Sequence, residues 1–180
     1  MIDYEKIIDK YYEKTGRLRE ILTTHSRLVA EKAITCADAR SLDIDRDFIL
    51  EAAMLHDIGI FRCDAPDICC TGDLPYICHG VEGRRILDAE GLTRHALVCE
   101  RHTGSGLTIE DITLQNLPLP HRDMTPQSVE ERIICYADKF YSKSGDMTKE
   151  KPIDKVIRSM ARHGEDTLER FMRLHREFGN

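Results

Sequence analysis

No apolar run in this 180-residue chain approaches the ~20 residues that a membrane-crossing helix needs. A helical membrane anchor is therefore not expected. Alternating apolar and polar residues never extend over a useful length, so nothing points to a sheet. Internal repeats and low-complexity segments are also missing. Cysteine occurs seven times, at 36, 63, 69, 70, 78, 99 and 135, yet never as a Cys-x-x-Cys pair. An odd, scattered set reads as free thiols in a reducing compartment, not as disulfides or a zinc knuckle. The N-terminal stretch MIDYEKIIDKYYEK has neither the apolar core nor the small-residue cleavage site of a signal peptide. The expectation is a cytoplasmic protein with no membrane partner.

Two nucleophile devices are missing as well. There is no Gly-x-Ser-x-Gly turn and no Gly-rich loop ending in Lys-Ser/Thr. The net charge of −6 argues against a protein that coats itself with nucleic acid. It leaves room for a small phosphorylated ligand, because a few local cations or a bound metal can hold phosphate on an acidic protein.

What is present is helical periodicity. At 41% hydrophobic and 32% charged residues, the composition is that of a water-exposed globule with a core. Residues 3–14 read as a charged helix and HSRLVAEKAITCADA as an amphipathic one. Asp45 is placed to cap DFILEAAMLHDIG, which should stop at Gly59. HGVEGRRILDAEGL should end at Gly91, and TRHALVCERH should follow as another helix. Residues 103–124 read as a long loop. Thr125–Pro126 looks like the start of a helix running to about Lys143, with two more near 153–162 and 166–177. The expected fold class is all-α: a single helical bundle over 1–180, with a motif-bearing core at about 20–145 and C-terminal helices at about 152–177.

Within that frame the stretch AMLHDIGIF sets His56 and Asp57 at the end of an apolar helix. A carboxylate pushed against a core must be paired or bound to a metal. Candidate partners are His25, on or beside the apolar stripe of its helix, and Asp138, beside the stripe of IICYADKF. His79 and His102, at helix ends, are others. Imidazole and carboxylate suit divalent iron, manganese, zinc or cobalt. Four histidines and two aspartates suffice for two ions if one carboxylate bridges. His95, His121, His163 and His175 read as ordinary histidines, although His121, in LPLPHRD, could supply a substrate contact.

The order His25, His56–Asp57, Asp138, with HDIG at 56–59, resembles the HD superfamily of metal-dependent phosphohydrolases. The resemblance spans about residues 20–145 and implies an HD-domain bundle. CHGVEGRRIL resembles the His-x-x-x-Gly segment of two-metal members, among them the HD-GYP phosphodiesterases. ERHTGSG and IICYADKF resemble segments of bacterial HD-type diadenosine tetraphosphate hydrolases, the closest pattern. Arg101–His102 stands where HD-GYP enzymes have a His-His pair, and no GYP segment is present. The resemblance implies a first ion on His25, His56, Asp57 and Asp138, and a second on His79 and His102, with Asp57 bridging. Iron or manganese is the first expectation; zinc, cobalt, nickel and magnesium stay open.

The implied activity is phosphohydrolysis of a nucleotide or other phosphate ester by metal-activated water. Asp57, Lys139, Arg62 and Asp64 are the catalytic candidates: Lys139 and Arg62 as phosphate cations, Asp64 as a proton relay. Arg101, Thr103, Gly104, His121 and Lys143 are candidate substrate contacts. A di-iron oxygenase of the same superfamily and a non-catalytic nucleotide sensor are the alternatives. The expected partner is a small phosphorylated substrate; a homodimer is compatible with the sequence.

Overall fold

Helices account for the architecture of the computed structural model, which describes residues 1–179. Nine α-helices are present among the described residues: α1 (Tyr4–Tyr11), α2 (Arg17–Ala39), α3 (Arg46–Leu55), α4 (His79–Ala89), α5 (Thr93–Arg101), α6 (Ile109–Leu114), α7 (Val129–Asp138), α8 (Ile153–Ala161) and α9 (Glu165–Phe178). A two-residue ribbon, β1 (Asp64–Ala65) against antiparallel β2 (Cys70–Thr71), is the one sheet among them. The all-α, single-domain expectation is met. No helix of the described residues is long and apolar enough to cross a membrane.

Apolar periodicity fixes most helix faces, and side-chain caps fix several starts. The Asp45 carboxylate accepts from the Phe48 N–H at 3.0 Å and begins α3 as expected. Gly91 takes a φ of +75° just past α4, the left-handed turn that ends a helix there. Other boundaries move. α2 begins at Arg17, because Ile21 and Leu22 already lie on its buried face. α3 stops at Leu55 rather than at Gly59. The expected loop at 103–124 contains α6, closed by a reciprocal cap between Thr108 and Asp111. α7 starts three residues late: Ser128 caps it by accepting from the Glu131 N–H, while the Thr125 N–H is drawn to Asp123. α7 also ends at Asp138 rather than near Lys143. That early end lets the chain double back, so Lys143 returns over the site.

Two apolar clusters form the body. One gathers Val29, Ala33, Ile49, Ala52, Ile133, Phe171 and Phe178 from α2, α3, α7 and α9. The other gathers Ile8, Leu22, Leu55, Ile58, Leu87 and Cys99 from α1, the front of α2, the end of α3, α4 and α5. Along α2, Leu22 belongs to the second cluster and Val29 to the first, with His25 between them. The polar site lies on this seam.

Close packing at the seam requires glycine. A Cβ on Gly59 would lie 2.3 Å from the His79 carbonyl oxygen and 2.4 Å from the Gly83 nitrogen. One on Gly80 would lie 2.5 Å from the Cys99 carbonyl oxygen. Both obstacles are backbone, so neither can move aside cheaply. These glycines let α4 approach α5 and the turn after α3 closely enough for their histidines to meet. Gly59→Ala should therefore cost about 1–3 kcal/mol, the usual price of overpacking. Urea denaturation reads this as a lowered midpoint; an unchanged midpoint would show that the α4 start is not pinned there.

Candidate metal centre

Five elements deliver six buried side chains. α2 supplies His25, the turn after α3 supplies His56 and Asp57, α4 opens with His79, His102 follows α5, and α7 closes with Asp138. On a continuing helix, His56 and Asp57 would diverge. Because α3 ends at Leu55, the chain tightens instead: the Ile58 N–H bonds Leu55 and the Ile60 N–H bonds Asp57. The two side chains then converge, with His56 Nε2 3.1 Å from Asp57 Oδ2.

The two oxygens of Asp57 face different histidines. Oδ2 lies 3.1 Å from His56 Nε2 and 3.4 Å from His25 Nε2. Oδ1 lies 3.4 Å from His102 Nε2 and 3.5 Å from His79 Nε2. Asp138 completes the first set, its Oδ1 2.8 Å from His25 Nε2 and 3.5 Å from His56 Nε2. Two groups result, His25–His56–Asp57–Asp138 and Asp57–His79–His102, each able to hold an ion, with Asp57 in both.

The donor chemistry fits a cation. His56, His79 and His102 each direct Nδ1 at the backbone carbonyl three residues earlier: Ala53 at 2.6 Å, Tyr76 at 2.6 Å and Cys99 at 2.8 Å. A carbonyl only accepts, so Nδ1 carries a proton in each, and a ring in its neutral form turns a bare Nε2 lone pair inward. His79 Nε2 and His102 Nε2 then face each other at 3.0 Å, lone pair to lone pair, with nothing to share unless a cation or an extra proton intervenes. His56 Nε2 and both oxygens of Asp57 also lack a well-formed hydrogen bond, although all are buried. Metal–ligand bonds of ~2.0–2.2 Å place neighbouring ligand atoms about 2.8–3.6 Å apart, and the observed spacings fall in that range.

Burial and charge set the protonation. Burial depresses His79 to about 3, with His102 adding to it, and His25 to about 4, with Lys143 adding to it. Burial also opposes charge on His56, but Asp57 and Asp138 outweigh it and lift that ring to about 9. Both carboxyls are held well below the usual range despite burial, Asp57 chiefly by His56 and Lys143, Asp138 chiefly by Lys139 and Lys143.

Two lysines close the site. Lys143 Nζ lies 2.6 Å from Asp57 Oδ2, and Lys139 Nζ lies 2.5 Å from Asp138 Oδ2 and 2.9 Å from the His102 carbonyl. A recess of about 190 Å³ beside them is lined by Thr103 and Gly104 as well as His79 and His102. The other sequence candidates lie elsewhere. Arg62 is half exposed and faces Glu82 at 3.8 Å. Asp64 is exposed on the ribbon. Arg101 points to Glu131 at 2.9 Å, and His121 is exposed on the loop before α7. None of these four lines the recess: Arg62 and Arg101 are turned to carboxylates, and Asp64 and His121 are exposed. Tyr76 escaped sequence reading: its carbonyl orients His79 and its ring stacks on that imidazole at 4.6 Å. The spacing of three between orienting carbonyl and histidine carries no side-chain signal.

Comparison with known proteins now adds the lineage. The HD domain family matches residues 22–142. This chain belongs to the HD domain family. The HD domain is also similar to proteins named tRNA (cytidine(56)-2'-O)-methyltransferase. The one from Picrophilus torridus is 28% identical over 168 residues, covering 93% of this chain and 44% of that protein. The one from Thermoplasma volcanium is 30% identical over 159 residues, covering 87% and 41%. An uncharacterized protein of Methanocaldococcus jannaschii is 30% identical over 168 residues and covers 89% of each chain. The HD domain thus spans less than half the length of the two methyltransferases. No solved structure matches it.

Membership of the HD domain family holds; the two relatives with a named activity are named as tRNA methyltransferases, so the finer resemblance to diadenosine tetraphosphate hydrolases finds no support in them. Their names overturn the expected phosphohydrolase, both as function and as enzyme class. They overturn the expected partner too: a small phosphorylated substrate with nucleic acid set aside does not agree with relatives that are named for acting on tRNA.

A divalent ion that binds the folded site should stabilise the fold by mass action, about 2.7 kcal/mol at a hundredfold excess over Kd. Chelator-stripped protein should melt several degrees below protein refilled with Mn²⁺, read by differential scanning fluorimetry. Equal melting temperatures across that titration would mean that the buried cluster holds no ion.

Proposed function

We propose that this HD domain is a metal-binding module that engages tRNA in company with ribose 2'-O-methylation. Its named relatives methylate tRNA, and it spans less than half of them, so methyl transfer itself is not assigned to these helices. The observation that carries the reading is Asp57, fully buried, with each oxygen turned to a different set of imidazoles behind two lysines. We assign two divalent ions to the site, iron or manganese first, since imidazole and carboxylate suit both.

Bound there, the ions would supply concentrated positive charge for a phosphate oxygen. The chain's own groups suit the same ligand. Lys139 and Lys143 sit at the mouth of the cluster. Thr103 offers a hydroxyl, and Gly104, at a φ of +60°, leaves open backbone next to it. Imidazole Nδ1 bonds to backbone carbonyls keep the ligand atoms oriented while RNA comes and goes.

Elemental analysis and RNA binding test the reading together. Wild-type protein should carry about two ions per chain, His79→Ala about one and Asp57→Asn neither. The metal-loaded protein should bind an unmodified tRNA transcript, measured by fluorescence anisotropy at fixed salt. Metal-loaded protein that ignores tRNA would end the RNA reading, and one ion in the wild type would end the paired centre.

A further inference from the structure

The site opens onto a much larger cleft, of about 740 Å³, which shares Tyr76, Asp138, Lys139 and Lys143 with the small recess. Its far wall is the face of α8. Lys155, Arg158 and Arg162 recur there at helical spacing, and Lys151 precedes them. Residues 151–162 hold four cations and one carboxylate in a chain whose net charge is −6. The carboxylates lining the cleft are Asp138, which the metal cluster claims, and Asp67.

These cations are poorly neutralised. Among the described residues, Lys155 and Arg162 have no ion pair. Lys151 spends its protons on the carbonyls of Lys139 and Tyr141, at 3.3 and 3.1 Å, and meets no carboxylate there. Arg158 meets Asp154 at 2.8 Å, but both side chains are about two-thirds exposed, and such pairs contribute little. A row of unspent cations leading to a buried metal site is a track for a chain of phosphates. The lining also includes two aromatic rings, Tyr76, which stacks on His79 by one face, and Tyr141, together with Ser142 and Ser144. Cations along one side and aromatic rings along the other are how proteins hold an unpaired strand: phosphates on the charges, bases on the rings. A volume of this size is that of a cleft for a small-molecule-sized object, so it admits a short stretch of strand and no duplex.

Resting on the tRNA-engaging reading, we infer that the α8 cleft holds an unpaired RNA strand and leads its phosphates to the metal centre, Lys151, Lys155, Arg158 and Arg162 forming the track. Lys143 and Lys139 complete it at the inner end. Their partners, Asp57 and Asp138, are also the residues that would hold the ions, and with those carboxylates so engaged both lysines would be left for phosphate.

The test uses the whole chain loaded with Mn²⁺ and a fluorescein-labelled ten-nucleotide single-stranded RNA. Lys155→Glu with Arg162→Glu, far from every metal ligand in sequence, should weaken binding at least tenfold. It should also flatten the dependence of log affinity on log salt by about 1.4, two phosphate contacts on a single strand. Its metal content should equal that of the wild type, which separates a lost track from a misfolded chain. A hairpin duplex without a loop overhang should bind at least tenfold more weakly than the single strand. Wild type that binds the tRNA transcript while the double variant binds the ten-mer equally well would overturn the track and leave the tRNA reading standing. So would a duplex that binds as well as the strand, or a nucleoside triphosphate that displaces the ten-mer at equal phosphate concentration. Wild type that binds no RNA at all would overturn both.

Discussion

Asp57 carries a full carboxylate in the interior, with no exposed surface; Lys143 Nζ pairs with Oδ2 at 2.6 Å, while Oδ1 faces only imidazoles. A buried carboxylate that is incompletely paired is costly. Around it stand four imidazoles, and three of them, His56, His79 and His102, have committed Nδ1 to backbone carbonyls, which leaves Nε2 as the inward donor atom. A cation would answer both demands at once, giving Asp57 Oδ1 a partner and the Nε2 lone pairs something to donate to. The fold is built so that both problems meet at one place.

That demand explains otherwise odd packing. Gly59 and Gly80 bring backbone to within distances no side chain would allow, and they do so where the His79-bearing end of α4 meets α5 and the turn after α3. The site also sits on the seam between two apolar clusters instead of inside either. Helix ends can therefore present ligands without breaking a continuous core. α9 and α7 seal the first cluster through Phe171, Phe178 and Ile133, while α1 seals the second through Ile8. The histidines are then held between two apolar clusters to which α2, α3 and α5 each contribute.

The sequence conveyed the six clustered side chains well and their neighbours poorly. His25, His56, Asp57, His79, His102 and Asp138 are spaced over more than a hundred residues, and the structure brings all six together. Of the polar candidates around them, Lys139, Lys143, Thr103 and Gly104 arrive at the recess, whereas Arg62, Asp64, Arg101 and His121 do not. The difference is local geometry. The first four follow immediately on a ligand or on the turn after α7. The others depend on where a loop or an ion pair aims a long side chain. The cations of residues 151–162 were equally hidden, since an overall charge of −6 says nothing of how charge is distributed.

By itself the sequence determined that the chain is helical, where most helices run, which residue types could hold metal and in what order they come. Helix period, caps and stop residues act over one or two turns, so they can be read locally. Only the tertiary structure decided that each oxygen of Asp57 faces a different pair of histidines, that α7 ends early enough for Lys143 to return, and that α8 lines a cleft leading to the same site. These are contacts between segments tens of residues apart, and their partners are chosen by how apolar faces pack and how closely glycine lets backbones approach.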